Sequence, residues 1–237
     1  MSEAASNSLP VLLVPGLTCT ARLYADQIPA LWQFGPVTVA DHRRDDSMAN
    51  LARRILATAP PRFALAGLSM GGFIAFEIMR QAPERVAKLA LLDTSSRPDP
   101  PEQTERRRVL MGLAKEGRYA DIPEHVFPIY VHRNRHGDEA LKRIVREMAE
   151  ATGIEAYLRQ QQAILSRPDS RPSLAAISCP TLVLVGVGDE ASPPELAREI
   201  AAGIRGSCLI VVPDSGHLST LEQPAAVTKA LIEWLQS

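Results

Sequence analysis

Five residues, Gly67-Leu68-Ser69-Met70-Gly71, stand between an apolar run, Phe63-Ala64-Leu65-Ala66, and an apolar helical stretch over residues 72–81. The order strand, G-x-S-x-G, helix constrains this chain more than any other feature. It requires a strand to turn sharply into a helix at a serine. A serine on such a turn has its hydroxyl held out at the sheet edge, free to attack. The backbone there is strained, and side chains two residues to either side would collide, so Gly67 and Gly71 are the residues the turn accepts. Gly72 and Ala75 then let the helix lie close on the sheet. The five letters alone recur by chance in roughly one chain in ten of this length. The strand before and the helix after give them weight against the alternative, an ordinary glycine-rich turn with a solvated serine.

That strand is one of six. Apolar and β-branched runs predict strands over residues 9–14, 37–40, 63–68, 86–92, 181–185 and 208–212. Helical patterns cover 21–32, 47–58, 72–81, 194–202 and 225–235, with Ser47 as an N-cap. Near-continuous apolar strands separated by helices indicate a parallel sheet covered on both faces. The expected class is α/β, a mainly parallel six-stranded sheet with helices on both faces.

One stretch breaks the alternation. It opens on Arg97-Pro98-Asp99-Pro100-Pro101, a stiff exit, and closes on Arg167-Pro168-Asp169. Between them lie helical patterns over 102–115, 138–152 and 155–165 and no strand. The expected organisation is a core of residues 1–96 and 173–237 with a helical cap, residues 97–172, inserted between two strands. Insertions of this size at a sheet edge commonly cover a site; the alternative is extra helices on the back of the sheet.

The chain has 237 residues, 46% of them hydrophobic, enough for one α/β domain with an insertion. A formal net charge of -1 argues against a nucleic-acid or anionic-membrane partner. Cys19, Cys179 and Cys208 form no disulfide framework and no zinc pattern. Cys179 and Cys208 read as small core residues, and Cys19 lies near the proposed site without an evident base. Residues 1–8 lack the basic and apolar regions of a signal peptide, and no apolar run approaches the ~18 residues of a membrane span. A cytoplasmic location is expected.

A serine hydroxyl needs a base to take its proton and an acid to orient that base. Of the five histidines, His42, His125, His132 and His136 fall in loops or the insertion. His217 follows the strand at 208–212 in the loop Pro213-Asp214-Ser215-Gly216-His217, at the carboxyl edge that also carries Ser69, where chemistry in open α/β sheets gathers. Asp189 follows the strand at 181–185 in Gly186-Val187-Gly188-Asp189-Glu190. Ser69, Asp189 and His217 thus come in the order Ser, Asp, His. Asp93, at the end of the strand at 86–92, and Glu190 remain rivals for the acid; Asp214 lies too close to His217 to orient it readily. An oxyanion hole needs two backbone N–H groups. Met70 N–H, just after the nucleophile, is one candidate; Leu17 N–H, in the loop Pro15-Gly16-Leu17-Thr18, is the other.

Gly67-Leu68-Ser69-Met70-Gly71-Gly72, Gly188-Asp189 and Gly216-His217 together resemble the α/β-hydrolase superfamily, and within it the small capped group containing esterases and 3-oxoadipate enol-lactonases. The resemblance covers nearly the whole chain except the insertion. It implies a serine hydrolase cleaving a carboxylic ester or lactone of a small molecule through an acyl-enzyme, as monomer or homodimer, with no metal or organic cofactor. The same triad also serves acyl transfer and cofactor-free lyase reactions, and some relatives act as small-molecule receptors. Two departures stand out: Pro15-Gly16 replaces the usual His-Gly, and the usual pair of leading strands is missing. Relatives that cleave carbon–halogen bonds carry aspartate at the nucleophile position, so Ser69 argues against that chemistry. Arg106, Arg107, Arg108, Arg133 and Arg135 are candidates to meet a substrate carboxylate, unless they lie on solvated helix faces.

Overall fold

The computed structural model describes residues 8–237, so the reading of the segment before Ser8 lies outside the described residues. Six strands form one sheet in the order β2-β1-β3-β4-β5-β6. They are β1 (Val11–Val14), β2 (Val37–Val39), β3 (Phe63–Leu68), β4 (Val86–Leu92), β5 (Thr181–Gly186) and β6 (Cys208–Val212). Every pairing is parallel. All six carboxyl ends therefore open on one edge.

The inner strands β1, β3, β4 and β5 read as unbroken apolar runs because each buries both faces. In β3, Phe63 and Leu65 join one hydrophobic cluster, while Ala64, Ala66 and Leu68 join the other. Leu89 and Leu91 alternate with Ala90 and Leu92 in the same way along β4. Helices Met48–Thr58, Met70–Gln81 and Pro194–Gly203 supply the first cluster, and Pro224–Gln236 packs on the second. Ser47 caps its helix by accepting from the Asn50 N–H at 3.3 Å.

Two readings change. The stretch 21–32 is not one helix but two short pieces, Ala21–Tyr24 and Ile28–Leu31. Pro29 has no N–H to give a helix running through it, and the chain restarts with Pro29 in a first turn. Cys208 is exposed rather than in the core, and Cys179 is half-buried. β6 is an edge strand, and its first residues lie at an open flank.

Between β4 and β5 the only regular elements are helical. The main helices are Pro101–Leu113, Ile122–Tyr130, Glu139–Thr152 and Ile154–Leu165. Asp138 caps the third by accepting from the Leu141 N–H. The segment is built into the molecule: Ile122, Tyr157 and Ile164 belong to one core cluster, and Phe127, Val131 and Met148 to the other. Helix Pro101–Leu113 differs from the rest, since it buries no residue. Among the described residues no helix is long and apolar enough to cross a membrane.

Candidate active site

Ser69 follows β3 and stands at the N-cap position of helix Met70–Gln81 at φ +56°, ψ -115°, a backbone conformation that costs about 1–3 kcal/mol for a residue with a side chain. The turn is held by neighbours that cannot retreat. A Cβ on Gly67 would fall against the Gly71 carbonyl, and one on Gly71 against the Val14 carbonyl of β1. Thr94, after β4, donates its hydroxyl to the Ser69 carbonyl at 2.8 Å.

The structure brings Ser69, His217 and Asp189 into one chain of hydrogen bonds. Ser69 Oγ lies 2.8 Å from His217 Nε2, and His217 Nδ1 lies 2.8 Å from Asp189 Oδ2. The other carboxylate oxygen of Asp189 accepts the N–H groups of Ala191 and Ser192, both at 2.8 Å. The carboxylate is thus fixed on both sides, and the Nδ1 proton has one place to point. Burial pulls the His217 pKa down, but the charge and hydrogen bond of Asp189, with Asp93 and Glu222 behind, outweigh it and hold the imidazole above its ordinary 6.5.

The rivals have other tasks. Asp93 is fully buried; its carboxylate accepts from the Gly186 N–H at 2.9 Å and from the Ser219 hydroxyl, not from His217. Burial, then the nearby Asp189 charge, push its pKa well above the ordinary carboxylate range. Glu190 lines the cavity described below. Asp214 takes a left-handed turn conformation, φ +49°. Burial pushes the Cys19 thiol up to about 12, which leaves it inert as a nucleophile.

The loop after β1 adjoins the nucleophile, since a Cβ on Gly16 would lie 3.4 Å from Ser69 Cβ. Its shape is set from outside. His42 donates Nε2–H to the Gly16 carbonyl at 2.9 Å, and Gln160, fully buried on helix Ile154–Leu165, accepts the Thr18 N–H at 3.1 Å. The N–H groups of Leu17 and Met70 have no hydrogen-bond partner among the described residues.

A cavity of about 770 Å³ opens between this edge and the inserted helices, with Ser69 and His217 in its wall. Of the five arginines singled out above, Arg106 and Arg107 line it, while Arg108, Arg133 and Arg135 do not. Arg107 and Arg167 share the Asp99 carboxylate, at 2.5 and 2.6 Å, and the Arg107 side chain is 14% exposed, that of Arg167 5%. Burial raises the Asp99 pKa, but the two guanidinium groups outweigh it and hold the carboxyl below its ordinary range. The cluster carries two positive charges against one negative. Arg167 also stacks on the Phe73 ring, its guanidinium 4.1 Å from the centroid.

Several residues at this site were not read from the sequence. Gln160, Arg167 and Asp99 reach it across the fold, as do Tyr130 and Glu222. The Tyr130 ring packs against His217 at 5.1 Å between centroids, and its carbonyl accepts the His217 N–H at 2.9 Å. Their only local trace was Arg167 and Asp99 in the proline-rich breaks that bound the insertion. Among the described residues no cluster of His, Cys, Asp or Glu fits a metal ion.

Known proteins share this arrangement of chain. A thermophilic esterase from Thermogutta terrifontis is 33% identical, with a TM-score of 0.86, covering 96% of this chain and 89% of that one. The enol-lactonase of Burkholderia xenovorans LB400, at 24% identity and a TM-score of 0.87 over 99% of this chain and 94% of that one, shares the fold. A 2-hydroxy-6-oxononadienedioate/2-hydroxy-6-oxononatrienedioate hydrolase of Klebsiella pneumoniae is 28% identical over 211 residues, 86% of this chain and 73% of the relative. The model of the alpha/beta hydrolase family matches residues 11–230, from β1 to the last helix. With a parallel sheet in this order and a match that spans nearly all of it, this chain belongs to the alpha/beta hydrolase family.

Proposed function

We propose that this protein is a serine hydrolase that cleaves a carboxylic ester or lactone of a small molecule through an acyl-enzyme. One observation carries the reading: the unbroken relay from Ser69 through His217 to Asp189, at 2.8 Å per step, with Ser69 and His217 in the wall of a cavity beneath the inserted helices. In this reading residues 97–172 are the cap. Ser69 Oγ attacks the substrate carbonyl while His217 Nε2 takes its proton, and Asp189 stabilises the imidazolium that forms. The Leu17 and Met70 N–H groups receive the oxyanion. His217 then protonates the leaving alcohol, and the free acyl-enzyme is attacked by water through the same base. The balance is one bond hydrolysed per water consumed, and no redox step enters. Ser69→Ala is expected to lower kcat by at least ~10³ on a p-nitrophenyl short-chain ester. Retained turnover in that variant would sink the proposal. Product analysis with an added alcohol or thiol separates hydrolysis from acyl transfer.

The acid side of the substrate follows from the wall charge. A buried pair of guanidinium groups on a single carboxylate favours an anion in the cavity. The dioate in the name of the Klebsiella relative agrees with that charge. The expected substrate therefore carries a carboxylate in addition to the scissile bond. Arg107→Ala is expected to lower kcat/KM for a carboxylate-bearing ester about 10- to 100-fold, the range of one charge-assisted hydrogen bond, and to change a neutral ester little. Equal kcat/KM of the unaltered enzyme on both esters would rule this out.

A further inference from the structure

We propose that Glu222 is a positioning residue for the base: with the Tyr130 carbonyl, its carboxylate fixes the backbone on both sides of His217 and fastens it to the inserted segment. The inference rests on the reading of His217 as the general base.

Glu222 ends the short helix Ser219–Glu222, directly after the histidine loop, and is 4% exposed. Its Oε1 accepts the Gly216 N–H at 2.9 Å and the Leu218 N–H at 3.2 Å, the amides before and after His217. Its Oε2 accepts the His132 N–H at 2.7 Å, 90 residues away in the insertion. Tyr130 supplies the second acceptor: its carbonyl takes the N–H of His217 at 2.9 Å and shares that of Leu218 at 3.1 Å. Three consecutive amides thus hang on two groups, one of them in the insertion and the other bonded to it.

Nothing else explains the carboxylate. Among the described residues Glu222 forms no side-chain salt bridge. A buried carboxylate with no cation in direct contact is costly unless N–H groups satisfy it, and here three do. A purely local role, closing the turn after His217, would not need the bond to His132. The backbone approach agrees: a Cβ on Gly216 would sit 2.5 Å from His132 N and 3.0 Å from Val131 Cα. The histidine loop lies directly on the insertion, and glycine is what lets it.

The charge has a second effect. The groups facing His217 are Ser69 from the β3 turn, Asp93 after β4, Asp189 after β5, the Tyr130 ring from the insertion and Glu222 from its own short helix. Arg135 lies next to Glu222, donating to its carbonyl at 3.1 Å. The negative charge of Glu222 helps the imidazole hold its proton. Removing that charge lowers the His217 pKa, so the acid limb of the rate profile moves to lower pH.

The test is the pH profile of kcat and KM on p-nitrophenyl acetate for the full chain, Glu222→Gln, His132→Pro and Ser69→Ala. An amide cannot accept from all three N–H groups, since its NH₂ would face a donor. Glu222→Gln is expected to lower kcat on the order of 10²-fold, the scale of a small misplacement of a reacting group. KM should stay within about twofold, and the acid limb should move down. His132 sits at φ -56°, the angle proline requires, so His132→Pro deletes one N–H and keeps the carboxyl group, although burial already raises the Glu222 pKa and loss of this donor raises it further. Against His132→Ala, which keeps the N–H, it should lose kcat, with a smaller downward shift of the limb than Glu222→Gln shows. If Glu222→Gln does not fold, judged by circular dichroism, the His132 pair decides. A folded Glu222→Gln with unchanged kcat and limb, or His132→Pro equal to His132→Ala, overturns the proposal. Activity retained in Ser69→Ala overturns the triad reading instead.

Discussion

At the level of single residues, the site depends on backbone that only a few side chains tolerate. Ser69 holds φ +56° because β1, β4 and its own helix enclose the turn. Gly67→Ala would drive a methyl group into the Gly71 carbonyl, and the expected cost is about 1–3 kcal/mol, typical of overpacking. A lower urea midpoint would register it, with kcat reduced because the hydroxyl is displaced. His217 gives the second expectation. In the proposed mechanism it must be neutral to accept the Ser69 proton, and its pKa is held above 6.5 by the carboxylates around it. kcat/KM should therefore fall as pH drops through that raised pKa, with half-activity above pH 6.5. A profile from pH 5 to 9 reads it, and a midpoint below 6.5 would contradict a base held by the surrounding carboxylates. The strand-end positions of Ser69, Asp189 and His217 were legible in the sequence because each follows an apolar run by a few residues. The separate task of Asp93 was not, since the bonds to Gly186 and Ser219 form across 93 and 126 residues.

Among the elements, legibility followed periodicity. The four inner strands could be read because each places alternate residues in two apolar clusters and so appears as an uninterrupted run, and the edge strands β2 and β6 because they are short β-branched or aliphatic runs. Helix Ile122–Tyr130 could not. Pro123 falls in its first turn and Pro128 inside it, and both look like breaks in a sequence. The helix survives because Ile122, Pro123 and Phe127 are buried and Pro123 stands where no N–H is needed. Capping was the reverse case, a local device visible as a serine before a periodic stretch. Ser47→Ala is expected to cost about 1 kcal/mol, measured by urea unfolding, and to leave kcat unchanged because Ser47 lies outside the site.

The molecule as a whole is a sheet edge held in register by the segment above it. On one side Gln160 holds the loop of Leu17 through the Thr18 N–H. On the other, Tyr130 and His132 hold the loop of His217. Both halves of the chemistry therefore refer to the same inserted helices. Gln160→Leu leaves the Thr18 N–H without its acceptor. A loss of kcat of roughly 10- to 100-fold is expected, up to the lower range seen when an oxyanion donor is removed, with the melting temperature falling only a few degrees. Stopped-flow acylation rates would show it directly.

These ties are unevenly distributed. Helix Pro101–Leu113 buries no residue, and its backbone holds neither catalytic loop, yet Gln103, Arg106, Arg107 and Leu110 face the cavity. A change there alters what the enzyme accepts without disturbing how it moves a proton. Descendants of this sequence can therefore diversify their diet along one helix while the other inserted helices remain under constraint. A library randomised at Gln103, Arg106 and Leu110 should yield mostly folded, turnover-competent variants that differ in selectivity.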